Sequence, residues 1–294
     1  MRETTAAMVT ERDIQVLLDV YKYRYLSVSQ IQRLHFPSLQ TTYRRLRALA
    51  TLGYLVGFKA PTMTEHLYYL GPQGGSSVAA VLGMEPEDLK WKDISRPPKD
   101  YYFLRHFLKV TDFRIGLTEA CGPAGVNLLG FIPEYYGQKT QNGGLAKYIK
   151  DFVCDLKGSG EAISHTPDAV FALEKNGTPA LFFLEIDRGT EVITDETHGV
   201  LKAIRFYLNY LLSGKYSRYA ADFSVPAFRG FRALLVTTSA QRVANIRAAT
   251  AVLPFEDKAK RFIWLATDEQ LSGAVFEAIW QAADPGDPTA YKIA

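Results

Sequence analysis

At 294 residues the chain is long enough for one large domain or two modest ones, and its 47% hydrophobic and 22% charged residues exclude disordered and fibrous classes. A net charge of +3 is too small to argue for nucleic acid by itself, but Arg24, Arg33, Arg44, Arg45, Arg47 and Lys59 gather near the start of the chain. Cys121 and Cys154 lack CxxC spacing and a nearby His, so no zinc site or disulfide framework is expected. Without a secretory leader or an apolar run long enough to span a bilayer, the expected setting is a reducing cytoplasm with no membrane contact.

Thr10 followed by Asp13 reads as a helix N-cap, and Ile14, Leu17, Leu18 and Tyr21 then recur at helical spacing. Ser27 to Gln30 caps a second helix with Ile31 and Leu34 inside, ended by Pro37. A third helix is expected from about Ser38 to Leu52, with Leu39, Tyr43, Leu46, Leu49 and Leu52 as its apolar stripe and Gly53 as its stop. Its polar face carries Gln40, Thr41, Arg44, Arg45 and Arg47. Two short strands over 54–58 and 66–70 follow, joined by a loop that begins at Lys59.

Three helices and a hairpin read as a winged helix-turn-helix over 1–83, whose third helix enters the major groove of double-stranded DNA. Gln40, Thr41, Arg44, Arg45, Arg47 and Lys59 are the expected DNA contacts. The alternative is that the arginines form only the solvated side of an amphipathic helix. Residues 84–100, rich in Pro and charge, read as a linker.

From 101 to 294 the pattern is mixed α/β. A long helix from Tyr101 to about Cys121 precedes a strand from Asn127 to Pro133, and 136–164 carries no clear periodicity. Asn176-Gly177 between two apolar runs marks a hairpin with a type I′ turn. A helix from Thr190 to Leu212, a strand over 231–238, a helix from Ala240 to Leu253, a strand over 261–266 and a helix through Trp280 complete the reading.

The hairpin sets Asp168 at the start of one strand and Glu185 at the end of its partner, and residues 185 and 187 alternate onto one face. Asp168, Glu185 and Asp187 therefore converge, and three repelling carboxylates invite Mg²⁺ or Mn²⁺. The order of elements resembles the PD-(D/E)xK restriction-endonuclease-like core. That resemblance implies that Asp168 and Glu185 hold the metal, with a lysine two positions after the Glu. Asp187 stands in that place, so a cation on the next helix is needed, from Lys202 or Arg205. Lys202 completes an expected catalytic set of Asp168, Glu185 and Lys202. In the competing reading, Arg188 pairs with Glu185 or Asp187 and no metal binds. His165 is placed to donate to the site or position a water; His106 reads as a core histidine. Tyr135, Tyr136, Tyr216 and Tyr219 suit either base stacking or packing. No Ser-His-Asp order, GxGxxG fingerprint or P-loop occurs.

The joint pattern Thr10-Glu11-Arg12-Asp13-Ile14, Ser29-Gln30-Ile31, Leu34-His35-Phe36, Arg44-Arg45-Leu46, Leu49-Ala50-Thr51-Leu52-Gly53-Tyr54, Tyr68-Tyr69-Leu70, Leu104-Arg105-His106, Pro167-Asp168 and Phe183-Leu184-Glu185-Ile186-Asp187-Arg188-Gly189-Thr190 resembles the replication-relaxation family over about residues 9 to 212. The resemblance implies a DNA-binding protein of the replication or mobilisation of a plasmid or integrative element. Together with the carboxylates, this leads to the expectation of a divalent-metal-dependent DNA endonuclease. The rival expectation is a non-catalytic regulator or initiator factor whose second domain dimerises or recruits a replication or conjugation protein.

Overall fold

The structure is a computed structural model that describes residues 9–61, 63–89, 101–139, 145–195 and 199–293. The chain divides into two compact units, Met1–Asp112 and Phe113–Ala294. Most of the expected linker, 90–100, lies outside the described residues, and the division falls inside the long helix that follows it.

In the first unit, α1 (Glu11–Tyr23) and α2 (Val28–His35) each begin with a reciprocal capping box, Thr10 with Asp13 and Ser27 with Gln30. Helix α3 spans Leu39–Thr51 and is capped by Ser38. Strands β2 (Leu55–Phe58) and β3 (Leu67–Leu70) form the expected antiparallel hairpin. A two-residue strand that the sequence did not announce, β1 (Leu26–Ser27), pairs with the other side of β3. Helix α4 (Pro72–Leu82) was equally unannounced, and it ends at Gly83 in the left-handed region.

The orientation of α3 departs from the expected stripe. Thr42, Leu46 and Leu49 face inward, whereas Leu39, Tyr43 and Leu52 are 48%, 43% and 37% exposed. The helix is rolled so that a buried threonine replaces Tyr43 in the core; Thr42 donates its hydroxyl to Ser38 O at 2.9 Å, which satisfies the one polar atom buried there.

Helix α5 (Tyr101–Cys121) contributes its first half to this unit. Gln30 Nε2 donates to Leu108 O and Asp112 Oδ1, and the Tyr25 ring meets Phe107 edge-on.

The second unit is built on a seven-stranded mixed sheet ordered β14-β13-β12-β11-β10-β9-β4. Strand β4 is Asn127–Pro133, and the hairpin is β9 (Ala169–Lys175) and β10 (Thr178–Ile186). Asn176 and Gly177 both have positive φ, as a type I′ turn requires. The unassigned stretch folds as two small hairpins, β5 (Gly137–Lys139) with β6 (Leu145–Lys147) and β7 (Asp151–Cys154) with β8 (Ala162–His165).

Beyond β10 come α6 (Val200–Ser213), a short α7 (Tyr219–Asp222), β11 (Phe231–Thr237), α8 (Ala240–Ala251), a single turn α9 (Asp257–Lys260) and β12 (Ile263–Thr267). Strands β10, β11 and β12 are parallel.

Two helix expectations are corrected. Residues 190–195 turn rather than wind, because Gly199 caps α6 and its amide donates to Asp195 O. No helix runs up to Trp280: Gly273 adopts φ +79°, and Trp280–Ala282 is strand β13, antiparallel to β12, followed by β14 (Ala290–Tyr291).

One face of the sheet buries Val170, Ala172, Leu181, Phe183, Ala233, Leu235, Ile263 and Leu265 against Ile204, Tyr207 and Leu208 of α6 and Val243 and Ile246 of α8. Each of the larger side chains contributes about 1.5–3 kcal/mol by leaving water. On the other face, Phe131, Phe171 and Phe182 stack in a row and Phe113 of α5 packs on Phe171.

Candidate functional site

The carboxyl ends of parallel strands form the crevice where open α/β sheets place ligands, and Glu185 and Asp187 stand at the end of β10. The β9–β10 pairing puts Leu184 opposite Ala169, so Asp168 lies beside them; its amide donates to Leu184 O and its Oδ2 accepts from Ile186 N at 2.7 Å. Asp168 and Glu185 converge as expected. Asp187 belongs to a different cluster.

Glu185 and His165 are joined through Oε1 and Nε2 at 2.6 Å, with side chains only 16% and 17% exposed. The Tyr207 hydroxyl donates to the same Oε1. His165 arrives from β8, and its ring packs on Phe206 and Tyr207 of α6. Burial works against a charged imidazole, but the Glu185 carboxylate, bonded to it, overcomes that cost and raises His165 above its ordinary value. Burial first, and then the Glu185 charge, pushes the Tyr207 hydroxyl well above its ordinary value. Lys202, half-buried near the start of α6, bears electrostatically on His165, and its side chain makes no hydrogen bond or ion pair with a described residue. Arg205, the other cation considered, is held at 2.5 Å from Asp155.

Asp187 is saturated. Its Oδ2 accepts from Thr237 Oγ1 at 2.7 Å and from Arg242 Nε at 2.5 Å, and its Oδ1 accepts from Arg242 Nη2 at 3.0 Å and Gly189 N at 2.9 Å. Burial would raise this carboxyl, yet the bonds from Arg242 and Thr237 prevail and hold it below its ordinary range. The two-residue alternation holds along the strand, but Asp187 lies one residue past its end and turns toward β11 and α8. The cation on it is Arg242 of α8, and Arg188 does not fill that role. Among the described residues, no group of three or more His, Cys, Asp or Glu side chains is arranged to hold a metal. With Asp187 committed to Arg242, the three-carboxylate centre read from the sequence is reduced to Asp168 and Glu185.

In the first unit, Gln40, Arg44 and Arg47 are exposed on α3, and Lys59 is exposed just past β2. Thr41 is half-buried, and its hydroxyl accepts from Ser38 Oγ. Arg45 turns away from this face and forms a two-point pair with Asp13 at 2.5–2.6 Å. Asp13 is buried, which alone would raise its carboxyl; bonds from Arg45 and Thr10 outweigh the burial and lower it. Leu39 and Tyr43, expected inside, join the exposed face in its place.

Tyr207, Thr237 and Arg242 carry no local signal of their role. Tyr207 reads from sequence only as part of an apolar stripe. Arg242 is 55 residues from Asp187, and no local periodicity connects them. His165 is marked in the sequence by its place beside Pro167-Asp168, and it does reach Glu185.

No helix among the described residues is long and apolar enough to cross a membrane. No curated protein matches the chain. The family model for replication-relaxation matches residues 17–225, and the chain belongs to that family.

Proposed function

We propose that the protein binds double-stranded DNA through a winged helix-turn-helix in its first unit, in the replication or mobilisation of a plasmid or integrative element. Family membership supports the role in replication or mobilisation. The observation that carries the DNA reading is the exposed row Gln40, Arg44 and Arg47 on the third helix, followed by a hairpin. Two arginines three positions apart lie on one face of a helix and suit guanine edges or phosphates. The test is Arg44→Ala with Arg47→Ala in the full chain, titrated with duplex DNA over a salt series. Removing two phosphate-binding cations reduces the log–log salt slope by about two. An unchanged slope and affinity would remove α3 from the interface.

A second reading concerns the sheet edge, and the convergence of Asp168, Glu185, His165 and Lys202 favours it. We infer a metal-dependent, nuclease-like centre in which Asp168 and Glu185 hold Mg²⁺ or Mn²⁺. Two carboxylates suffice for Mg²⁺, which keeps several waters and takes other ligands from phosphate. The fit is to two acids and excludes Asp187. A cation bound there would lower the pKa of a water and neutralise charge on a phosphate. Of this chain's own groups, His165 and Tyr207 fix one oxygen of Glu185 in place, and Lys202 supplies a positive charge for the DNA backbone. Thermal unfolding with and without Mg²⁺ tests it. Wild type should melt higher with Mg²⁺ by mass action, and Asp168→Asn should lose that increment. Absence of both the increment and DNA cleavage leaves the non-catalytic regulator reading for this unit.

A further inference from the structure

At the end of the large sheet opposite Glu185, an open cleft of about 680 Å³ lies between the β9–β10 turn and the starts of β11 and β12. Its charged lining residues are Arg229 and Arg232, and among the described residues no Asp or Glu lines it. Along β11, Arg232 and Thr237 are separated by about 17 Å at the usual rise per residue. The cleft is thus remote from the carboxylates.

Arg232 is held as a rigid cation. Its guanidinium carbon sits 4.3 Å from the centre of the Phe262 ring and 5.2 Å from that of Trp264, which itself stacks on Tyr291. Nη1 donates to Phe231 O at 3.1 Å, whereas Nε is sealed from solvent with no hydrogen-bond partner. Arg205, Arg218, Arg242 and Arg261 each have a carboxylate at ion-pairing distance; among the described residues Arg232 has none. Withdrawing a guanidinium from water without a counter-charge is costly. Nη2 and the exposed head of Arg229 remain available to offset that cost.

We propose that this cleft binds a nucleotide phosphomonoester, free or at the end of a strand, with its phosphate on Arg232 and Arg229 and its base against Phe262 and Pro226. A phosphomonoester carries up to two negative charges and matches two arginines with no competing acid, where a single carboxylate would match one. The flat, apolar-faced base suits the wall that the rest of the lining provides. The site uses none of the residues proposed for duplex binding or metal binding.

The full chain labelled with 5-fluorotryptophan provides the test, because Trp264 lines the cleft and its ¹⁹F signal is assigned by Trp264→Phe. Thymidine monophosphate or a 5′-phosphorylated thymidine trinucleotide should shift that signal saturably; which of the two acts identifies a free nucleotide or a strand end. Thymidine and the unphosphorylated trinucleotide should not shift it. Arg229→Gln, at an exposed position, should weaken binding by about tenfold or more, and Arg232→Gln should abolish it. Arg44→Ala with Arg47→Ala should leave it intact. Equal binding of the unphosphorylated trinucleotide, unchanged affinity in Arg229→Gln, or a response only to a peptide with a free carboxyl terminus would each overturn the proposal. No saturable shift with any nucleotide would do the same.

Discussion

On α3, Arg44 and Arg47 stand in solvent beside Gln40, whereas the charges at the carboxyl end of β10 are half-buried or buried and bonded to one another. The first arrangement costs the fold little and leaves the cations open to a polyanion. The second makes each charge part of the fold, so that the chemistry proposed for this edge would draw on the same atoms as stability. Arg45 and Arg44 show the boundary between the two regimes within a single helix turn: one is fixed by a buried Asp13, and the other is exposed.

The sharpest way to break this comparison is to delete one member of a buried pair. Asp187→Ala leaves Arg242 and Thr237 facing an absent carboxylate, and the unfolding free energy should fall by about 3–5 kcal/mol, the range for uncompensated buried charges. Urea unfolding measures it. A loss below about 1 kcal/mol would mean that Arg242 finds water or another acceptor, and that the sheet edge behaves like the α3 surface.

Acid titration should give a smaller effect. Burial pushes the Asp155 carboxyl up, but bonds from Arg205, Ser159 and Asn209 pull it below its ordinary value. Its folded pKa is then lower than its unfolded value of about 3.9. The stability it supplies is therefore complete above about pH 4 and lost as pH falls through the folded value. Asp13 follows the same sign. Asp155→Asn should flatten the decline in urea midpoint below about pH 4, and a slope identical to wild type would refute the assignment.

The smallest effect belongs to the exposed arginines. Arg44→Ala with Arg47→Ala should change unfolding free energy by no more than about 0.5 kcal/mol per site, as for surface positions generally. A larger loss would show that these side chains hold α3 in place, and would undercut their reading as free cations.

Local signals were legible wherever one element explains itself. Ser27 with Gln30, Asn176-Gly177 and the run from Asn127 to Pro133 each encode their structure within a few residues. The roll of α3 was not, because Tyr43 and Thr42 compete for the core and the outcome depends on Asp13 of another helix taking Arg45. Trp280 misled for a related reason: its hydrophobicity suits a helix or a strand, and its place beside Tyr291 is set by pairing with a later segment. At the candidate site, the positions of Asp168 and Glu185 followed from hairpin register, while the partner of Asp187 is a tertiary choice.

Asp13 closes the capping box of α1 through Thr10 and anchors α3 through Arg45 with the same carboxylate. One side chain thus sets both where a helix begins and how its neighbour is turned. On the proposed DNA reading, a genetic screen for impaired DNA association would score substitutions at this position alongside those in α3, although Asp13 is itself buried. The two classes separate by temperature: the defect of an Arg44 substitution persists on cooling, whereas a misaligned helix is rescued by whatever stabilises the unit as a whole.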